Sequence, residues 1–228
     1  MSSGSPSEDP PPAARYDGYA DWYDEWASTG LTAAAEALGE LLPEGNGLAV
    51  DVGCGTGRTA ELLRHHGYRP LGVDVSADQL RVARARLPVL RGEGGALPLP
   101  DGSAQLVVAS LISTDVEDYA GVVAEAMRVL ASGGSFVHLG VHPCFRHPFA
   151  EARSDGLLPH PGYPDAGWAA VTPWTGDTVR ARVGVHHLPL QDLLTALLEP
   201  RCTAEQVIEG GDYCGVPWLL GVRLRRIP

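Results

Sequence analysis

From Leu48 onward the chain alternates short, continuously apolar runs with stretches of helical periodicity. The apolar runs lie at 48–52, 70–75, 89–91, 104–110 and 135–141, and apolar side chains at consecutive positions suit strands covered on both faces. Helical spacing fills the gaps. Arg58 to His66 follows the first run, and Ser76 can cap a helix to about Leu87, where Pro88 stops it. Val116 to Leu130, with Ser113, Thr114 and Asp115 as cap candidates, ends at Ser132-Gly133-Gly134. Strands alternating with helices predict a doubly wound α/β sheet, mostly parallel, with helices on both faces. Leu188 to Leu198 reads as a further amphipathic helix. Residues 201–209 and 216–226 read as a closing antiparallel pair turned at Gly210-Gly211, which makes the last of seven strands antiparallel.

Upstream, Leu31 to Leu42 has helical spacing and stops at Pro43 and Gly45. Before it, Tyr16, Tyr19, Trp22, Tyr23 and Trp26 recur at helical intervals, so 15–26 is expected to form an aromatic helix face that either glues itself to the core or closes over a site. Residues 1–14 are rich in Ser, Pro and Gly and too poor in apolar groups to pack, which predicts disorder. Residues 15–228 then form one domain, with 15–45 as a helical cap.

Composition narrows the class. At 228 residues with 44% hydrophobic and 20% charged residues, the chain can bury a core as a single domain. Its formal charge of −11 argues against a nucleic-acid partner, for which a basic face is expected. Cys54, Cys144, Cys202 and Cys214 are scattered, with no C-x-x-C pair. No apolar run approaches the roughly 20 residues that span a bilayer, so no membrane partner and a cytoplasmic location are expected.

The candidate chemistry sits where the first strand meets its helix, in Asp51-Val52-Gly53-Cys54-Gly55-Thr56-Gly57-Arg58. A glycine-rich turn between strand and helix leaves bare backbone N–H groups at the positive end of a helix dipole, a cradle for a cofactor. A dinucleotide fingerprint reads G-x-G-x-x-G. Here Gly53, Gly55 and Gly57 fall at every second position, and arginine stands at 58. Asp51 precedes the first glycine by two residues, and Asp74 ends the next strand, where a carboxylate can take both hydroxyls of a ribose.

The order D-x-G-x-G-x-G followed by a strand-end acid resembles the class I S-adenosylmethionine (SAM)-dependent methyltransferases that act on small molecules. The resemblance implies a seven-stranded Rossmann-like fold, SAM as cofactor and S-adenosylhomocysteine (SAH) as product. It continues through Gly92-Glu93-Gly94-Gly95-Ala96-Leu97-Pro98-Leu99-Pro100-Asp101-Gly102-Ser103, similar to the family's G-D-A-x-x-L-P-F-x-D-x-S block. There Glu93 would accept from the adenine amino group and the Gly94 N–H would reach a ring nitrogen. Ser76-Ala77-Asp78-Gln79-Leu80 resembles the S-x-x-M-L stretch in which the residue at 79 lies along the adenosine, although Gln79 fits a solvated helix position equally well. Tyr19 and Tyr23 align with an N-terminal helix that reaches the methionine end. Gly53, Cys54, Gly55, Gly57, Val75 and Ser110 complete the implied cofactor contacts. The chain departs from the family at Gln105, where Asp is usual, at Thr114 and Asp115, where histidines are common, and at Ser132, where proline is usual.

Residues 142–187 are long, proline-rich and dense in histidines and aromatics, and such a segment over the carboxyl ends of the strands is the expected substrate lid. Thr178 to Val185 alternates as one strand of an inserted hairpin would. His142, directly after the fifth strand, and His187 are the candidate bases for a phenol or alcohol acceptor. The histidines show no spacing for a metal site, and adjacent His186 and His187 would point opposite ways on a strand. The expected reaction is O- or N-methylation of an apolar or aromatic small molecule by a monomer or homodimer. The alternative is the same fold binding SAM or SAH for a different reaction, such as a cyclisation, or without catalysis.

Overall fold

All five apolar runs pair as parallel strands. The structure is a computed structural model and describes residues 15–146, 148–169 and 178–227. The expected disordered tail, His147 and Trp174 lie outside the described residues. Two helices, α1 (Ala20–Gly30) and α2 (Thr32–Leu41), precede the sheet. The alternating part follows as β1 (Leu48–Val52), α3 (Ala60–His65), β2 (Arg69–Asp74), α4 (Ala77–Ala83), β3 (Val89–Arg91), β4 (Ala104–Ser110), α5 (Tyr119–Val129) and β5 (Leu130–Val141). The segment after β5 holds β6 (Ala150–Arg153), β7 (Gly156–Pro159), β8 (Gly167–Ala169), α6 (Val179–Val183) and β9 (Val185–His187). The chain closes with α7 (Leu190–Leu197), β10 (Cys202–Gly210) and β11 (Leu219–Arg226).

The main sheet runs β10-β11-β5-β4-β1-β2-β3, with β11 antiparallel to both of its neighbours. Its middle strands are buried on both faces because consecutive residues serve opposite cores. Val50, Val107 and Phe136 pack under α5 and α7 with Val123, Met127 and Leu193. Ala49, Leu106 and Val137 pack on the other side with Leu38 and Leu41 of α2 and Leu63 of α3. Gln105, the departure from the family's Asp, accepts from Leu48 N at 2.8 Å and so fastens the start of β1 to β4. Between the layers, Tyr119 Oη and His138 Nδ1 meet at 2.5 Å, and neither residue is more than 1% exposed. No helix among the described residues is long and apolar enough to cross a membrane.

Several boundaries differ from the sequence expectation. α1 begins at Ala20, not Arg15, because Gly18 adopts φ +85° and the N–H groups of Gly18 and Ala20 turn to Asp78 Oδ2 of α4. Ser76 does cap α4, accepting from Gln79 N at 3.2 Å, but the helix ends at Ala83 and a tighter turn carries the chain to Leu87. The cap of α5 is Asp118, which accepts from Gly121 N at 2.8 Å, so Ser113, Thr114 and Asp115 do not cap it. β5 begins at Leu130 and runs through an irregularity between the Leu130 and Ser135 pairings with β4. Val179 to Val183 is helical rather than extended. Its valines satisfy both an alternating and an i, i+4 pattern, and burying the two on one side selects the helix.

Candidate functional site

The cradle is built by the turn after β1. Gly53 and Gly55 have φ of +66° and +51°, and a β-carbon on Gly53 would sit 2.4 Å from Ile112 Cγ2. That crowding and the left-handed backbone leave no room for another residue. Asp74, at the tip of β2, holds the turn in place: Gly55 N donates to its Oδ2 at 2.8 Å and Ser76 N to its Oδ1 at 2.9 Å. Burial raises the Asp74 pKa against these hydrogen bonds.

A cavity of about 1000 Å³ opens from this turn. Of the residues singled out from sequence, Tyr23, Gly53, Gly55, Asp74, Val75, Gln79, Glu93, Gly94 and Ser110 line it. Gln79 is 1% exposed, yet neither its Oε1 nor its Nε2 has a partner among the described residues. A buried amide left unpaired costs free energy comparable to a lost hydrogen bond, a cost that a polar ligand in the cavity would relieve. Gly94 is tight as well, since a β-carbon there would lie 3.0 Å from Val52 Cγ1 and 3.2 Å from Val122 Cγ2.

Four other candidates stand behind this wall. Asp51 is 1% exposed and accepts from the Thr59 hydroxyl, tying the end of β1 to the start of α3. Burial pushes its carboxyl up to about 7, against the Thr59 hydrogen bond. Cys54 packs toward β2, where a β-carbon on Gly72 would meet its Sγ at 2.6 Å, and burial raises its thiol pKa. Gly57, at φ +78°, lets the chain pass Leu87 and Ala83 at the end of α4. Tyr19 turns away to Trp22 and Arg182, with ring centroids 6.5 Å apart in the first pair. Tyr16 takes the place expected of Tyr19. It lines the cavity edge-on to Tyr23 at 5.7 Å and donates from its hydroxyl to Asp115 Oδ1 at 3.3 Å. The helical spacing concealed this exchange because Tyr16 lies before the helix begins.

Sequence reasoning missed the tether that closes α1 over the cradle. Asp24 accepts from Arg86 Nη1 and Nη2 at 2.7 and 2.8 Å and from Arg58 Nε at 3.0 Å, and Arg86 also reaches the Thr56 carbonyl. The Arg86 hydrogen bonds, supported by the nearby charges, lower the Asp24 carboxyl to about 2. No motif marks such a contact, since its partners are 34 and 62 positions apart.

The histidines stand elsewhere. His142 and His187 both border a separate small cleft of about 10 Å³. His142 accepts from Cys144 N on Nδ1 and pairs with Glu209 through Nε2, which leaves no ring nitrogen for a substrate. His187 donates from Nε2 to the Tyr163 carbonyl and packs on Phe149 and Tyr163, so it fastens the segment after β5. Burial lowers both pKa values. The adjacent His186 packs edge-on to Trp168 and borders the same cleft. Among the described residues no group of three His, Cys, Asp or Glu side chains is arranged for a metal.

What faces the cavity from α6 is Arg180, bonded to Asp115 and to Thr114 Oγ1. Asp115, one of the two residues standing where the family commonly has histidines, is thus held by a guanidinium and by the Tyr16 hydroxyl. Burial raises the Tyr16 phenol well above its usual range and pushes Tyr23 up to about 12. Arg146 lines the same cavity from the segment after β5, beside Tyr213 and Trp218.

Residues 50–138 match the family described as Methyltransferase domain. The chain is 28% identical to an S-adenosylmethionine-dependent methyltransferase of known structure from Mesorhizobium loti. That likeness covers 86% of this chain and 99% of the other, with a TM-score of 0.69. A probable S-adenosylmethionine-dependent methyltransferase of Mycolicibacterium smegmatis is 35% identical over 48% of this chain and 43% of its own length. A trans-aconitate 2-methyltransferase of Methylobacterium radiotolerans is 32% identical over 50% of this chain and 47% of its own. The chain spans about half the length of the curated relatives it matches.

Proposed function

Since the chain carries a class I SAM-dependent methyltransferase domain, with SAM as cofactor and SAH as product, we propose that it methylates a small-molecule acceptor inside its large cavity. The observation that carries this reading is the continuity of that cavity. It runs from the Gly53–Gly55 turn to the lid residues Val179, Arg180 and Val185, and at about 1000 Å³ it reaches the upper end of the roughly 300–1,000 Å³ of ligand pockets. That size suits a cofactor and an acceptor side by side. The small molecules that the curated relatives act on support the same acceptor class, as does the chain's charge of −11, which disfavours a nucleic acid.

On this reading Asp74 takes the ribose hydroxyls, Gln79 satisfies its amide on the adenosine, and Glu93 with the Gly94 N–H holds the adenine. The backbone of Gly53 and Gly55, with Tyr16 and Tyr23, encloses the methionine end. SAM supplies an electrophilic methyl group on a sulfonium. The chain's own work is to align the acceptor with that methyl and to exclude water, which is catalysis by positioning. Asp115 is neutralised by Arg180, and neither tyrosine ionises near neutral pH, so the cavity favours an acceptor atom that needs no strong base.

Calorimetric titration of SAM and SAH into wild type and Asp74→Ala, with NADH as a control, tests the cofactor roles. Micromolar binding of both sulfur ligands, lost in the variant and absent for NADH, is expected. Radiolabelled methyl transfer from SAM across a set of small-molecule acceptors then tests the reaction. Binding of SAM without turnover of any acceptor, alongside turnover of a protein or RNA, would overturn the small-molecule reading.

A further inference from the structure

Among the described residues the cavity wall holds two guanidiniums, and they are not alike. Arg180 is matched by Asp115. Arg146 has no carboxylate within ion-pairing distance among the described residues, in a chain with an excess of acids. Its Cζ lies 3.8 Å from the centroid of the Tyr213 ring and 5.8 Å from that of Trp218. A guanidinium over an aromatic ring has five N–H donors, and those that the ring and the Tyr213 hydroxyl do not engage can form the fork that matches a carboxylate. Burial lowers its pKa, Tyr213 works against that shift, and the neighbouring Arg180 charge adds to it, so an anion placed there would relieve the burial and the repulsion together.

Position in the fold separates this fork from the cofactor end. Arg146 follows β5, and Trp218 leads into β11, whereas Asp74 ends β2. In the order β11-β5-β4-β1-β2, β5 and β2 stand three strand spacings apart, about 14 Å. Val141, Ala150 and Val185 supply apolar surface on the Arg146 side of the cavity.

We propose that Arg146 anchors a carboxylate of the acceptor from its seat on Tyr213 while the apolar wall takes the body of the molecule. This rests on the methyl-transfer reading above and names the acceptor class as a small carboxylic acid. SAM carries a carboxylate of its own, and the two sources are separated by working on protein already loaded with SAH.

The test is calorimetry and ligand-observed NMR on the SAH-loaded full chain. The probes are benzoate and trans-cinnamate, their primary amides, and inorganic phosphate. The carboxylates are expected to bind at least about tenfold more tightly than the amides, as a charge-assisted fork requires. Arg146→Gln should abolish that preference while SAH affinity stays within about twofold. Arg146→Lys, which keeps the charge without the fork, should retain part of it. Amides binding wild type as well as the acids, no binding of any acid, or a preference for phosphate would each overturn the proposal and leave SAH binding intact. Loss of SAH affinity in Arg146→Gln, together with competition between the acids and SAH, would reassign the arginine to the cofactor. Failure of SAH itself to bind would remove the methyl-transfer reading and the anchor with it.

Discussion

Arg180 Nη1 lies 2.5 Å from Asp115 Oδ1, while Nη2 of the same guanidinium donates to Thr114 Oγ1 at 2.7 Å, so one arginine fastens α6 to the loop after β4. Both side chains are largely buried, at 14% and 21% exposure. Removing one partner of such a pair strands the other charge. Arg180→Ala is therefore expected to cost about 3 kcal/mol in urea denaturation, and Arg180→Met with Asp115→Leu should recover most of it. A loss below about 1 kcal/mol for the single variant would show the pair to be solvated in practice.

Asp24 joins α1 to the turn after β1 through Arg86 and Arg58, so on the proposed function its contribution should appear in binding. Asp24→Ala is expected to weaken SAH about fivefold by freeing α1, with faster proteolysis between residues 15 and 30. Unchanged SAH affinity with faster proteolysis would mean that α1 packs beside the site without closing it.

Gln79 separates stability from function. Its buried amide, unpartnered among the described residues, should cost about 1–2 kcal/mol without ligand. Gln79→Leu is expected to raise the ligand-free Tm by about 2–6 °C and to weaken SAH about tenfold or more. If Gln79→Leu left SAH affinity unchanged, the amide would have no part in the cofactor site.

Two buried groups impose opposite pH slopes. Asp51 titrates near 7 when folded, above its unfolded value near 4, so between these limits the native state holds the extra proton. Its contribution is full at low pH and is lost as pH rises through about 7. Burial pulls His138 down to about 3, below an unfolded value near 6.5, so the unfolded state holds the extra proton there and stability falls as pH drops from about 6.5 toward 3. Between about pH 4 and 6.5 the two offset each other. Asp51→Asn should unmask the histidine, giving stability that rises with pH over that window, measured by urea denaturation at a series of pH values. A variant curve parallel to wild type across pH 4–7 would place the Asp51 titration elsewhere.

Gly57 holds a close approach that no other residue can make. A β-carbon would lie 2.5 Å from Leu87 Cδ2 at φ +78°. Gly57→Ala is expected to destabilise by about 2 kcal/mol through backbone strain and displacement of Leu87, with a smaller effect on SAH affinity than on stability. A greater loss of affinity than of stability would return Gly57 to the cofactor contacts.

The sheet was legible because burial on both faces writes itself as consecutive apolar residues, and β3 and β4 fall at the expected positions. The glycine turn and Asp74 were legible because a left-handed backbone packed against a side chain and anchored to a strand-end acid restricts residue type at fixed spacing. Helix starts were less so. Thr114 and Asp115 have the chemistry of a cap, yet Arg180, 65 positions away from Asp115, offers a stronger partner, and Asp118 takes the cap instead. The same competition settles the aromatic cluster, where the Asp78 contacts begin α1 at Ala20 and bring Tyr16 rather than Tyr19 to the cavity.

By itself, then, the sequence determined the order of strands and helices in the main sheet, the glycine turn after β1 and the acid at the tip of β2, since each follows from periodicity or local spacing. The tertiary structure alone decided which side chains share the cavity. It carried His142 and His187 to a separate cleft, matched Arg180 to Asp115, and left Arg146 on Tyr213 without a carboxylate partner among the described residues. The physical reason is that side-chain charge and hydrogen bonding are satisfied between segments far apart in the chain, where no local pattern records the choice.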